Sequence, residues 1–135
     1  MASPRNSQPP LSLLLVEDDR EAVKVLKIMI PMKFPDVTIH IAANGTAGME
    51  LCKERSPDIV VTDINMPGMD GVRMAREIRT TRPGTKFIVI TGYSDKAYLD
   101  QFSTIGITAY ILKPIEFKEL FSAIEKCIGE IRERQ

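Results

Sequence analysis

Two acidic stretches close apolar runs. "LSLLLVEDD" carries Glu17, Asp18 and Asp19 straight after Val16, and "DIVVTDINMPGMDG" carries Asp63 two residues after Val61, with Pro67 and Gly68 close behind. A carboxylate at such a boundary either caps the next helix or is held at the rim of a core to do chemistry. Two further runs end in groups of complementary character: "KFIVIT" ends in the hydroxyl of Thr91, and "AYILKP" delivers the ammonium of Lys113. Capping suits Asp19, which precedes "REAVKVL", but it fails for the set as a whole, because a lysine at a strand end caps no helix N-terminus. Carboxylates that converge raise one another's pKa unless a cation intervenes, so the acids call for a positive partner.

The elements between these residues must bring them together. Leu11 to Val16, Asp58 to Val61, Lys86 to Thr91 and Ala109 to Leu112 are continuous apolar runs rich in β-branched residues, as expected for strands buried on both faces of a parallel sheet. Val37 to Ala42, "VTIHIA", alternates more and reads as an edge strand containing the sole histidine, His40, as a structural residue. Between the runs the period becomes helical. Glu21 to Ile30 places Ala22, Val25, Leu26, Met29 and Ile30 on one face, with Pro31 as its stop. Asn44 to Arg55, a helix capped by Asp70, Asp95 to Ile105, and a last helix with Phe117, Leu120, Phe121, Ile124, Ile128 and Ile131 complete five strand–helix alternations. Such alternation predicts an α/β fold with right-handed crossovers: a doubly wound five-stranded parallel sheet, of commonest order 2-1-3-4-5. Strands one and three are then neighbours, about 4.8 Å apart, and Glu17, Asp18 and Asp63 meet at their carboxyl ends.

Composition narrows the partners. The 135 residues, 44% apolar and 27% charged, suit one domain with a proper core. Eighteen basic and eighteen acidic side chains leave no net charge, which argues against bulk electrostatic capture of nucleic acid or an anionic membrane. No apolar run approaches the roughly 18 residues of a membrane span. Residues 1–10, "MASPRNSQPP", lack the features of a signal or transit peptide and read as a disordered tail, with 133–135 as a short C-terminal tail, so a cytoplasmic location is the default expectation. Cys52 and Cys127 are far apart and form no CxxC, consistent with buried thiols in a reducing compartment.

With "VEDD", "TDINMPGMDG", "ITGYSD" and "YILKP" in that order at the expected strand ends, residues 11–132 resemble a response-regulator receiver domain of two-component signalling, CheY-like, with a flavodoxin-like three-layer (βα)5 sandwich. The resemblance implies a signalling phosphoacceptor that catalyses only its own phosphorylation and dephosphorylation, taking a phosphoryl group from a sensor histidine kinase or phosphotransfer protein. Carried over residue by residue, Asp63 resembles the phosphoacceptor. Glu17 and Asp18 resemble the acidic pair that holds Mg2+ together with Asp63 and the backbone carbonyl of Asn65. Thr91 and Lys113 resemble the pair that contacts the phosphoryl group, Tyr110 the switch aromatic, and Lys113–Pro114 the family's cis peptide. Asn65 and Tyr93 are expected to flank the path of hydrolytic water and tune dephosphorylation. Glu17 departs from the aspartate of many relatives, and its extra methylene makes Asp18 the firmer expected ligand.

The resemblance also implies an output surface made by the predicted helix Asp95 to Ile105, the fifth strand and the last helix, where an effector or output domain docks and a homodimer is open. Three other readings are weaker. A pseudo-receiver that binds partners without phosphorylation conflicts with the full set Asp18, Asp63, Thr91 and Lys113. A haloacid-dehalogenase-type phosphatase needs a second acid two residues past its nucleophile, where this chain has Asn65. A flavin module needs a phosphate-cradling loop where "VEDDRE" offers carboxylates.

Overall fold

The structure, a computed structural model, describes residues 10–64, 71–92, 100, 101 and 103–134. Five strands, β1 (Leu11–Val16), β2 (Val37–Ala42), β3 (Ile59–Asp63), β4 (Lys86–Thr91) and β5 (Ala109–Leu112), form one sheet in the order β2-β1-β3-β4-β5. All four pairings are parallel. The helices with assigned bounds are α1 (Arg20–Lys33), α2 (Gly45–Arg55), α3 (Gly71–Thr81) and α4 (Phe117–Glu133). The predicted helix Asp95 to Ile105 falls mostly outside the described residues, as does the predicted cap Asp70. Residues 100, 101 and 103 are helical.

The two-residue period of the strands sorts their side chains into two cores. Leu14, Val16, Val60, Phe87 and Val89 point to one face and pack under α2 and α3 against Met49, Cys52, Met74, Ala75 and Ile78. Leu13, Leu15, Ile59, Val61, Ile88, Ile90 and Ile111 point to the other and pack under α1 and α4 against Leu26, Ile30, Leu120, Ile124, Cys127 and Ile131. That double coverage is why the central strands read as unbroken apolar runs, while β2, at the edge, keeps partly exposed positions.

Three expectations need correction. β5, read as buried on both faces, lies at the edge of the sheet and leaves Tyr110 and Leu112 exposed. Pro31 does not stop α1, which runs on to Lys33. Proline removes one donor and crowds the carbonyl four residues back, but only two helical residues follow it, and the Phe34 N–H closes the helix on the Ile30 carbonyl at 2.8 Å. Val25 is not buried: it is 43% exposed, Ile28 and Met32 are exposed as well, and Leu26 and Ile30 are the buried residues of α1.

At the end of the sheet away from the acids, one side chain bridges the loops that lead into β4 and β5. Arg79, on α3, donates to the carbonyls of Ile105 at 3.1 Å, Gly106 at 2.8 Å, Thr85 at 2.7 Å and also Pro83, while its guanidinium sits 4.9 Å from the centre of the Phe87 ring. Cys52 and Cys127 are buried free thiols, each pushed up to about 11 by burial, and so hold little thiolate at neutral pH.

Candidate functional site

Register decides which side chains meet. Val16 is level with Thr62, so Glu17 and Asp63 each stand one step beyond that pair; Asp63 is level with Ile90, and Thr91 with Leu112. The chain therefore leaves the sheet at Glu17, Asp63, Thr91 and Lys113 along one edge. The Lys113 N–H donates to the Thr91 carbonyl at 2.8 Å and extends the β4–β5 pairing to the lysine itself. The Lys113–Pro114 peptide is cis.

Carboxylate oxygens of Glu17, Asp18 and Asp63 lie within 4.8 Å of one another. Glu17 is only 2% exposed. Its N–H donates to the Ala42 carbonyl at 3.0 Å, and its Oε2 accepts from the Asp19 N–H at 3.1 Å. Asp19 caps α1: its Oδ1 accepts from Glu21 N–H at 3.0 Å and Ala22 N–H at 3.4 Å. Asp63 Oδ2 accepts from Lys113 Nζ at 2.6 Å, and the pair is asymmetric, with the Asp63 side chain 4% and the Lys113 side chain 45% exposed. Thr91 is buried at the same edge, its hydroxyl donating to the Gly92 carbonyl at 3.2 Å.

The electrostatics follow from this crowding. Burial first, and then the charge of Asp63, push Glu17 up to about 7, against the opposing pull of the Asp19 N–H and Lys113. Lys113 feels opposite influences: burial alone would lower it, but hydrogen bonding and attraction to Asp63, with help from Glu17 and Asp18, carry it above the usual lysine value.

The donor set suits a hard divalent cation. Three carboxylates from two strand ends offer oxygen ligands of the kind Mg2+ takes, and they retain more negative charge than one ammonium offsets. Asn65 and Tyr93, predicted as metal ligand and rate tuner, lie outside the described residues. Tyr110 is 43% exposed on β5, level with Val89 and so on the same face of the sheet as Val89 and Thr91.

One feature escaped the sequence reading. A cleft of about 390 Å³ opens beside the acids, lined by Glu17, Asp19 and Lys113 and by apolar residues that include Val25, Ile115 and Phe117. Phe117 has the helical spacing of a core residue, and only the position of the α4 N-terminus beside α1 reveals it as a wall of the cleft.

A family model described as "Response regulator receiver domain" matches residues 13–125. The chain is 30% identical over 121 residues to "Uncharacterized transcriptional regulatory protein YesN" of Bacillus subtilis, covering 89% of this chain and 33% of that protein. It is 33% identical over 119 residues to "Sensor kinase CckA" of Brucella abortus, covering 87% of this chain and 12% of that protein. The chain thus spans a third or less of the length of both relatives. Among solved structures, the N-terminal domain of an uncharacterized protein from Wolinella succinogenes is similar with a TM-score of 0.85 and 30% identity, covering 93% of this chain and 99% of that one.

Proposed function

The chain belongs to the response-regulator receiver domain family, and from that premise we propose that it accepts a phosphoryl group on Asp63 from a phosphohistidine donor. The observation that carries this reading is the setting of Asp63: a buried carboxylate at a strand end, 2.6 Å from the Lys113 ammonium and grouped with the carboxylates of Glu17 and Asp18.

A carboxylate is a weak nucleophile, and its attack on a phosphoryl group brings negative charge toward negative charge. Catalysis is then positioning and neutralisation. The fold fixes Asp63 at the end of β3, so that a bond from its carboxylate oxygen to phosphorus forms as the phosphorus–nitrogen bond of the donor breaks and the donor imidazole leaves with the electron pair. Lys113 attracts the incoming phosphoryl oxygens. Mg2+, held by Glu17, Asp18 and Asp63, would supply the remaining positive charge.

The product replaces one negative charge at Asp63 with about −1.5 to −2. Its oxygens accept from Lys113 and from Thr91, whose hydroxyl exchanges its bond to the Gly92 carbonyl for one to the phosphoryl group. Charge-assisted hydrogen bonds contribute roughly 1.5 to 3 kcal/mol each, comparable with the few kcal/mol that separate two conformations of a domain. Tyr110, on the Thr91 face of β5, moves into the space that Thr91 vacates and alters the surface presented to an effector or output domain. The test is intact mass after incubation with acetyl phosphate and Mg2+: the native protein gains one phosphoryl group and Asp63→Asn gains none. Equal labelling of the two overturns the reading.

A further inference from the structure

Asp19 is outside the set that touches phosphoryl group or metal, yet a chain of hydrogen bonds joins it to one member. The N-terminal amides of α1 at Glu21 and Ala22 both bind its Oδ1, which holds Asp19 in the extended cap conformation at φ −79° and ψ 108°. In that conformation its own N–H is directed back to Glu17 Oε2 at 3.1 Å. Glu17 has one more rotatable bond than an aspartate, and a side chain of that length can settle in several rotamers. Here its backbone is fixed to the end of β2 through the Ala42 carbonyl and its carboxylate to the Asp19 N–H, so both ends of the residue are held.

We propose that Asp19 is a positioning residue for the metal site: the cap of α1 fixes the turn whose N–H orients the Glu17 carboxylate toward Asp18 and Asp63. The role depends on hydrogen-bond acceptance by the Asp19 side chain, not on its charge. It also makes the longer acid at position 17 workable, because the glutamate bends back onto a donor two residues away. The inference rests on the proposed function, since it concerns the same carboxylates.

The experiment is a MgCl2 titration of the full chain followed by amide chemical shifts, with thermal unfolding run on the same samples. Asp19→Asn and Asp19→Ser keep the cap without the charge, whereas Asp19→Ala removes the cap. The expected result is an Mg2+ dissociation constant raised at least fivefold in Asp19→Ala and within twofold of native in Asp19→Asn and Asp19→Ser, with the Asp19 amide proton moved upfield only in the alanine variant. Asp19→Ala with a native dissociation constant, even with a lowered melting temperature, reduces the residue to an ordinary cap and overturns the inference. Asn and Ser variants as weak as alanine overturn it in favour of charge. A native protein whose site amides do not respond to Mg2+ overturns the functional reading as well, so the two failures are distinct.

Discussion

Lys113 Nζ stands 2.6 Å from Asp63 Oδ2, and of the two side chains it is the lysine that is open to solvent. A half-exposed ammonium adds little to folding stability, because solvent screens its attraction to the buried acid. On the proposed function, the value of the contact is chemical. Lys113→Gln should fold normally and accumulate phosphoryl-Asp63 from acetyl phosphate about 10²-fold more slowly, the usual loss when one fixed donor to developing negative charge is removed. The time course of intact mass measures it, and an unchanged rate removes lysine from the reaction.

Glu17 links the site to pH. Its folded value of about 7 lies above the ordinary 4.5, so between those pH values the folded state holds a proton that the unfolded chain releases. In the absence of divalent ions the contribution of Glu17 to stability should therefore be largest below that window and fall by on the order of 3 kcal/mol as pH rises through it. Urea unfolding at pH 5 and pH 7.5 measures the difference, and Glu17→Gln should flatten it. Mg2+ competes with the same proton, so its binding near neutral pH should release protons, seen as a binding enthalpy that varies with the buffer.

Two glycines predict opposite outcomes. A Cβ built at Gly71 would lie 2.6 Å from the Asp63 carbonyl oxygen, backbone against backbone, with no side chain free to yield. Gly71→Ala should cost about 1 to 3 kcal/mol by overpacking and slow phosphorylation of Asp63. At Gly129, inside α4, nothing lies within 4 Å. Gly129→Ala should raise stability by about 0.5 to 1 kcal/mol, because alanine gives up less backbone freedom in a helix. Chemical denaturation of both variants tests the pair.

The proposed switch role of Tyr110 predicts that chemistry and output come apart. Tyr110 is 43% exposed and more than half covered, so Tyr110→Ala should cost on the order of 1 kcal/mol in lost apolar contact yet leave the rate of phosphorylation native. Phosphorylation-dependent binding of an effector should be lost. Native binding by the alanine variant would falsify the switch.

The parts of the molecule that repeat were legible before any coordinates. Buried runs such as "KFIVIT" and the helical spacing of Leu120, Ile124 and Ile131 are local signals, and alternation of the two types leaves few ways to close the sheet. The acids could be placed because they stand at strand ends, where one step of register fixes neighbours. What stayed hidden depends on distance in three dimensions. The exposure of Val25 is set by where α4 packs beside α1, the tolerance of Pro31 by its place in the last turn, and the reach of Arg79 by carbonyls from two separate loops. Each needs the tertiary arrangement before the side chain acquires a meaning.

The contact beneath Asp63 bears on how freely this site can diversify. On the proposed function, side chains around Asp63 could be exchanged one at a time to lengthen or shorten the life of its phosphorylated form. At position 71 helix and strand already touch through their main chains, leaving no atom to trade. Variation that adjusts signal duration must therefore proceed around a seat of fixed thickness, and libraries built to retune this domain should hold Gly71 constant.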